Sequence, residues 1–204
     1  MGSIAALILA AAVTYASHGG VMLEHPLPIP GTDDALSYDD NSAHWLTWGG
    51  LYRGVWFNTG DFGSYSFDWA ADNTEFWFFH SSSRPWDTGS FYAEVYNGDV
   101  SAPVTQLNQT SVTATHYAAV YANYSSPLIC EDQFWVLVNT EMSGGGWPSI
   151  LGDNTYTTDH SFFNDDFVVW EPWGMGDYFV RTDGWPWSGG LAGATWAEMK
   201  TLFD

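Results

Sequence analysis

The chain has 204 residues, enough for one domain with its own core, and carries 24 Asp and Glu against 4 Lys and Arg, a formal charge of −20. That charge repels phosphate backbones and anionic headgroups, which excludes nucleic acid and anionic membrane surfaces as partners. Disorder is excluded as well, because 46% of the residues are hydrophobic and 18% aromatic.

The first segment, 1–18, begins with a charge-free apolar run over residues 3–13. Ser3 is a suitable N-cap, Ala and Leu favour helix, and Gly19-Gly20 supply a stop, so a short apolar helix is expected. At ~1.5 Å per residue it reaches roughly 20 Å, short of the ~30 Å hydrocarbon core of a bilayer. Its apolar residues run nearly all round, so Ile4, Leu7, Ile8, Leu9 and Val13 are expected to be buried against neighbouring copies. A cleavable signal peptide ending near Ala16 is the competing reading, weakened by the lack of Lys or Arg before the run.

Residues 19–35 read as a spacer, since the alternating Pro26, Pro28 and Pro30 impose an extended conformation poor in donors. From 36 to 183, short alternating or apolar runs are separated by Gly, Asn, Asp, Ser and Pro, the pattern of an antiparallel sandwich or barrel. Strands are expected at 53–58, 65–69, 75–80, 91–96, 112–121, 133–139, 160–170 and 177–181. In 91–96, Phe91, Ala93 and Val95 alternate with Tyr92, Glu94 and Tyr96, as a half-buried strand requires, whereas 75–79 is apolar on both faces and reads as central or covered. Asn97-Gly98 reads as a tight turn and 143–146 as a flexible loop tip. Cys130 has no partner for an internal disulfide and reads as a buried, inert thiol. The last segment, 184–204, is expected to be a loop followed by a short docking helix, with Thr195 and Glu198 as a capping box and Trp196, Met199 and Phe203 on one face.

Candidate chemistry is sparse. Asp33-Asp34, Asp39, Asp40, Asp165 and Asp166 cluster in oxygen-rich loops that can enclose calcium, although EF-hand spacing is missing and solvated turns are the plainer reading. No cofactor is required. Among the 13 Trp residues, Trp147, Trp173, Trp185 and Trp187 lie in Gly/Pro-rich stretches and are candidates for stacking on a sugar, against burial in the core or at a subunit contact. Asn108 and Asn123 sit in glycosylation sequons. Glu75, Glu94, Glu131, Glu141 and Glu171 could supply a glycosidase pair, but any acidic chain offers such a set, and no His-based zinc spacing, nucleophile elbow or phosphate loop occurs.

The stretches 36–40 (LSYDD), 53–57 (RGVWF), 91–97 (FYAEVYN), 133–138 (QFWVLV) and 177–181 (DYFVR) together resemble jelly-roll-like β-sandwich modules of secreted and cell-surface bacterial proteins. The resemblance covers 36–183 and implies an antiparallel jelly-roll-like β-sandwich, an extracellular or cell-surface setting and a non-catalytic role. A pilin-like analogy attaches to the apolar N-terminus alone, and the longer helix and early glutamate of pilins are missing. The expected architecture is all-β with a short helix at each end. The expected function is a secreted structural subunit that self-assembles into a filament or surface layer, with a carbohydrate-binding module as the alternative and a glycosidase as a third reading.

Overall fold

The computed structural model describes residues 18–31, 35–155 and 160–188. The two expected helices, the assembly residues Ile4, Leu7, Ile8, Leu9 and Val13, and the Asp33-Asp34 turn lie outside the described residues. Within them the chain is nearly all strand. In order the strands are β1 (Gly19–Pro28), β2 (Ala35–Leu36), β3 (Ser42–Trp48), β4 (Tyr52–Asn58), β5 (Asp68–Trp77), β6 (Ser90–Asn97), β7 (Thr105–Thr113), β8 (Ala119–Cys130), β9 (Gln133–Asn139), β10 (Ile150–Gly152), β11 (Ser161–Asn164), β12 (Glu171–Pro172) and β13 (Val180–Trp187). They build a six-stranded sheet in the order β12-β11-β4-β9-β6-β7, a four-stranded sheet β2-β13-β5-β8 and a three-stranded sheet β1-β3-β10. All pairings between these strands are antiparallel.

The period of two in the sequence explains the layering. On β9, Phe134, Val136 and Val138 join the main core, together with Val55 and Phe57 of β4, Phe91, Ala93 and Val95 of β6, and Phe76, Ala122 and Val180 of the four-stranded sheet. The six- and four-stranded sheets thus share one apolar interior, a sandwich-like arrangement. The alternate residues Trp135 and Leu137 point the other way, under Phe162 and Trp170. Segment 75–79 is apolar on both faces because it has two cores to serve. Phe76 and Phe78 enter the main one, while Trp77 and Phe79 pack with Leu46, Leu151 and Phe179 beneath the three-stranded sheet.

The segment expected as a spacer is a strand. β1 pairs with β3, with Leu23 and Leu27 turned toward the second core and a register shift between Met22 and Leu27. Its prolines lack donors but keep acceptors, and these are used. The carbonyl of Pro28 accepts from the Tyr117 hydroxyl at 2.6 Å and that of Pro30 from Arg181 Nη1 at 2.5 Å.

Several other boundaries differ, among them the expected strand 160–170, of which β11 takes only Ser161–Asn164. The expected breaks between 65–69 and 75–80 are absent because the polar pair Asp72-Asn73 makes a bulge inside β5 rather than a turn. Residues 112–121 divide between β7 and β8, which belong to different sheets, and the connection passes through Tyr117 at φ 48° instead of Gly or Pro, so no turn signal marks it. The expected loop at 184–188 continues β13 as far as Trp187. A side chain at Gly184 would meet the Ala70 carbonyl at 2.1 Å, so the glycine here serves close approach of β13 to β5. Asn97-Gly98 opens a longer connection to Thr105 rather than a tight turn.

Asp39 fixes where these layers join. Its carboxylate accepts both Arg181 Nε at 2.9 Å and Nη2 at 2.6 Å, and the same guanidinium reaches Glu75 Oε1 at 3.2 Å and Asn41 Oδ1 at 2.9 Å. All three charged side chains are buried. Burial works against the charge on Arg181, but the hydrogen-bonded Asp39 carboxylate and then Glu75 outweigh it and hold its pKa above the ordinary arginine value. Removing one partner of a buried pair strands the other. Asp39→Ala should therefore lower the free energy of unfolding by about 3–5 kcal/mol, read from the urea midpoint, whereas Asp40→Ala next door, on an exposed turn, should cost about 1 kcal/mol or less.

Candidate functional site

A cleft of about 240 Å³ opens where the start of β1 crosses toward β11, lined by His18, Gly19, Gly20, Trp45, Phe163, Trp173 and Met175. Local sequence explains the bend. A Cβ on Gly19 would meet the Trp48 ring at 2.9 Å, so only glycine lets the chain lie this close to Trp48 as it passes to His18. The His18 ring then stacks on Phe163, with centroids 4.2 Å apart and planes 15° off parallel. Trp45 of β3 meets Trp173 edge-on at 6.4 Å, and Trp173 stacks on Tyr178 at 4.7 Å.

The apolar wall has polar groups behind it. Arg53 lies opposite Phe163 in the β4–β11 register and is fully buried. Its Nη1 donates to the carbonyls of Gly49 (3.1 Å) and Gly146 (2.8 Å), and Nη2 to that of Pro148 (2.8 Å). The 143–146 stretch, expected as a flexible tip, is thereby tied to the core. Ser143 Oγ adds to this by donating to Asp87 and accepting from the Gly145 and Trp147 amides. Among the described residues three kinds of donor or acceptor nevertheless remain unmatched: Arg53 Nε, both ring nitrogens of His18, and the Tyr178 hydroxyl, which lies near Thr47 without a well-formed hydrogen bond.

The buried charged group behind this wall is a cation, in a chain of net negative charge. Among the described residues no carboxylate forms a salt bridge with Arg53. Burial pulls the Arg53 pKa down to about 10, with a smaller opposing effect from Tyr178. Burial, and then the Arg53 charge, pull His18 from 6.5 to about 4, so its ring is neutral near neutral pH. The site is a single buried cation behind an aromatic cleft, inside a chain of net charge −20.

The residues singled out from sequence scatter. Trp173 is 8% exposed and belongs to both the main core and the cleft. Trp147 stacks on Trp48 at 5.8 Å, and Arg84 lies over Trp48 at 4.4 Å. Trp185 and Trp187 stand on β13, paired with β5, where Trp187 is 40% exposed. Asp39 belongs to the Arg181 pair. Asp40 Oδ1 accepts from the Ser42 amide, Asp166 Oδ1 from the Val168 amide, and Asp165 sits against Gly50. Among the described residues no three His, Cys, Asp or Glu side chains converge as a metal site. Asn123 is exposed on β8, and Asn108, half-buried on β7, accepts from Thr110.

The carboxylates most shielded from water are engaged. Glu75 takes Arg181, the Trp77 indole (2.6 Å) and the Tyr121 hydroxyl (2.9 Å), and Glu94 takes Gln109, Asn139 and Tyr96. Cys130 is buried and free, its thiol pushed up to about 12 by burial and then by Asp68, which agrees with an inert thiol. His160 lies between Tyr38 (3.5 Å) and Trp56 (5.3 Å), with Asp61 accepting from the Tyr38 hydroxyl at 2.8 Å. Burial raises the Tyr38 pKa, so this cluster braces the corner with a neutral phenol.

No protein-family model matches the chain, and neither curated proteins nor solved structures give a match. The cleft residues His18 and Trp45, and Arg53 buried behind the wall, were not singled out as functional by sequence pattern. For Arg53 a signal existed, since it is in phase with Val55 and Phe57 on a strand whose other inward positions are apolar. The depressed His18 makes a pH-dependent stability term. Its folded pKa lies below the unfolded one, so the unfolded chain takes up the proton first, and stability should fall as pH drops from about 6.5 toward about 4. Against His18→Phe, wild type should lose up to roughly 3 kcal/mol over that window, measured by urea unfolding at a series of pH values.

Proposed function

We propose that this chain is a non-catalytic binding module of an extracellular or cell-surface protein, with the cleft at His18, Trp45, Phe163 and Trp173 as its ligand site. A jelly-roll grouping and a secreted setting belong to the same reading, carried by the sequence resemblance over 36–183. The observation that carries the site is the coincidence of a concave aromatic wall with buried polar atoms that have no hydrogen-bond partner among the described residues. No cofactor is required; calcium at the exposed Asp40, Asp165 and Asp166 is an addition this role does not need. A glycan stacking on Trp147 or Trp187 is the carbohydrate alternative, and its aromatic faces are spread over separate elements.

Self-assembly into a filament or layer is a second reading, favoured by one feature. β1 is the outer strand of its sheet, follows the apolar segment directly and exposes Val21 and Met22. Removing residues 1–17, which leaves His18 in place, should abolish polymers in electron micrographs while circular dichroism stays that of a β-protein. Normal polymers from the shortened chain would remove this reading.

The cleft has its own test. Met175 is 42% exposed at the rim, so Met175→Trp should obstruct the mouth without disturbing the interior. In ligand-observed NMR, small aromatic fragments should show saturation transfer with wild type and lose it with Met175→Trp. Equal transfer to both proteins would place the binding elsewhere.

A further inference from the structure

The unmatched groups in and behind the cleft wall differ in kind from an ordinary gap in hydrogen bonding. Arg53 can only donate, and its charge has no carboxylate partner among the described residues. The three carbonyls on its Nη atoms satisfy hydrogen bonds but leave the positive charge uncompensated. His18, neutral, has one N–H and one acceptor nitrogen, both buried and without a partner among the described residues. A water molecule could take these hydrogen bonds, yet it brings no charge. An anion does both.

The surroundings restrict which anion. A surface this acidic repels polyanions at long range, so a single negative charge is favoured over a phosphate ester chain or an acidic polymer. The remaining wall is Trp45, Trp173, Phe163 and Met175, which offers apolar and edge-on aromatic contact to the rest of the ligand. A volume of about 240 Å³ admits a single ring with its substituent.

We propose that the cleft binds a small aromatic or apolar monocarboxylate, its carboxylate turned toward His18 and the buried Arg53 and its body against Trp45 and Trp173. The proposal rests on the binding-cleft reading above and specifies its ligand class. Because His18 gains an anionic neighbour on binding, its proton affinity rises with occupancy, and carboxylate binding is coupled to proton uptake as pH falls.

The test uses the full chain at fixed ionic strength and neutral pH, with sodium benzoate as probe, benzamide as its neutral counterpart and acetate as the headgroup alone. Isothermal titration should give benzoate a dissociation constant at least roughly tenfold below that of benzamide and of acetate. The resonances of isotope-labelled His18 should titrate at higher pH in the presence of benzoate. His18→Phe, which keeps the stacked ring on Phe163 and removes both nitrogens, should erase the preference for benzoate over benzamide, and Met175→Trp should remove both ligands. Equal affinity for benzoate and benzamide would overturn the carboxylate assignment while leaving the cleft as a binding site. Absence of binding by either would overturn the cleft itself, and the assignment with it. An unmoved His18 titration with benzoate bound would also overturn the assignment, by placing the anion away from the ring.

Discussion

The buried guanidinium of Arg181 is the constraint on which the arrangement of the layers depends. It sits near the start of β13 and binds Asp39 and Asn41 from the β2–β3 connection, the Pro30 carbonyl just beyond β1, and Glu75 near the end of β5. These contacts span more than a hundred residues of sequence and three strand systems. A guanidinium taken from water costs several kcal/mol unless every donor is matched, so the site tolerates one arrangement of those segments and penalises the rest. Asn41 adopts φ 63° to place its side-chain oxygen on Arg181, a left-handed conformation that asparagine accepts more readily than most residues. Glu75 is fixed in turn by Trp77 and Tyr121, which carries the order from the four-stranded sheet into the second core.

Arg53 is buried to the same depth with the opposite design. Arg181 is compensated by charge, whereas Arg53 is held by backbone carbonyls from two loops, 49 and 146–148. Carbonyl dipoles fix position strongly and neutralise weakly. One arginine closes the fold, and the other lies behind an aromatic hollow with no salt bridge among the described residues. The same residue type is therefore matched by carboxylates in one place and by backbone carbonyls alone in the other.

Much of the strand content was legible because inward and outward residues alternate cleanly. β9 coincides with 133–139, β4 with 53–58 to one residue, and Phe91, Ala93 and Val95 lie in the core as the alternation requires. What escaped was set by partners far away in sequence. Proline-rich 19–35 looks unpaired when donors alone are considered, and Tyr117 and Arg181 supply donors to its carbonyls from 89 and 151 residues away. Asp39 resembles any acidic turn residue until Arg181 stands opposite it. The cleft needs His18, Trp45, Phe163 and Trp173 brought together from four separate segments, and no local spacing encodes that meeting.

The burial of both core arginines also governs how the folded body meets proteases. Trypsin-like enzymes cut after Lys or Arg in segments that can be drawn into an extended conformation, and among the described residues the basic side chains are Arg53, Arg84 and Arg181. Two are sealed in the interior, and Arg84 is followed by Pro85, a bond such enzymes cleave poorly. Proteolysis after Arg53 or Arg181 therefore requires the β-body to open, so its rate follows the opening equilibrium rather than surface access. In an environment rich in such enzymes, the scarcity of basic residues and their depth together lengthen the life of the folded protein.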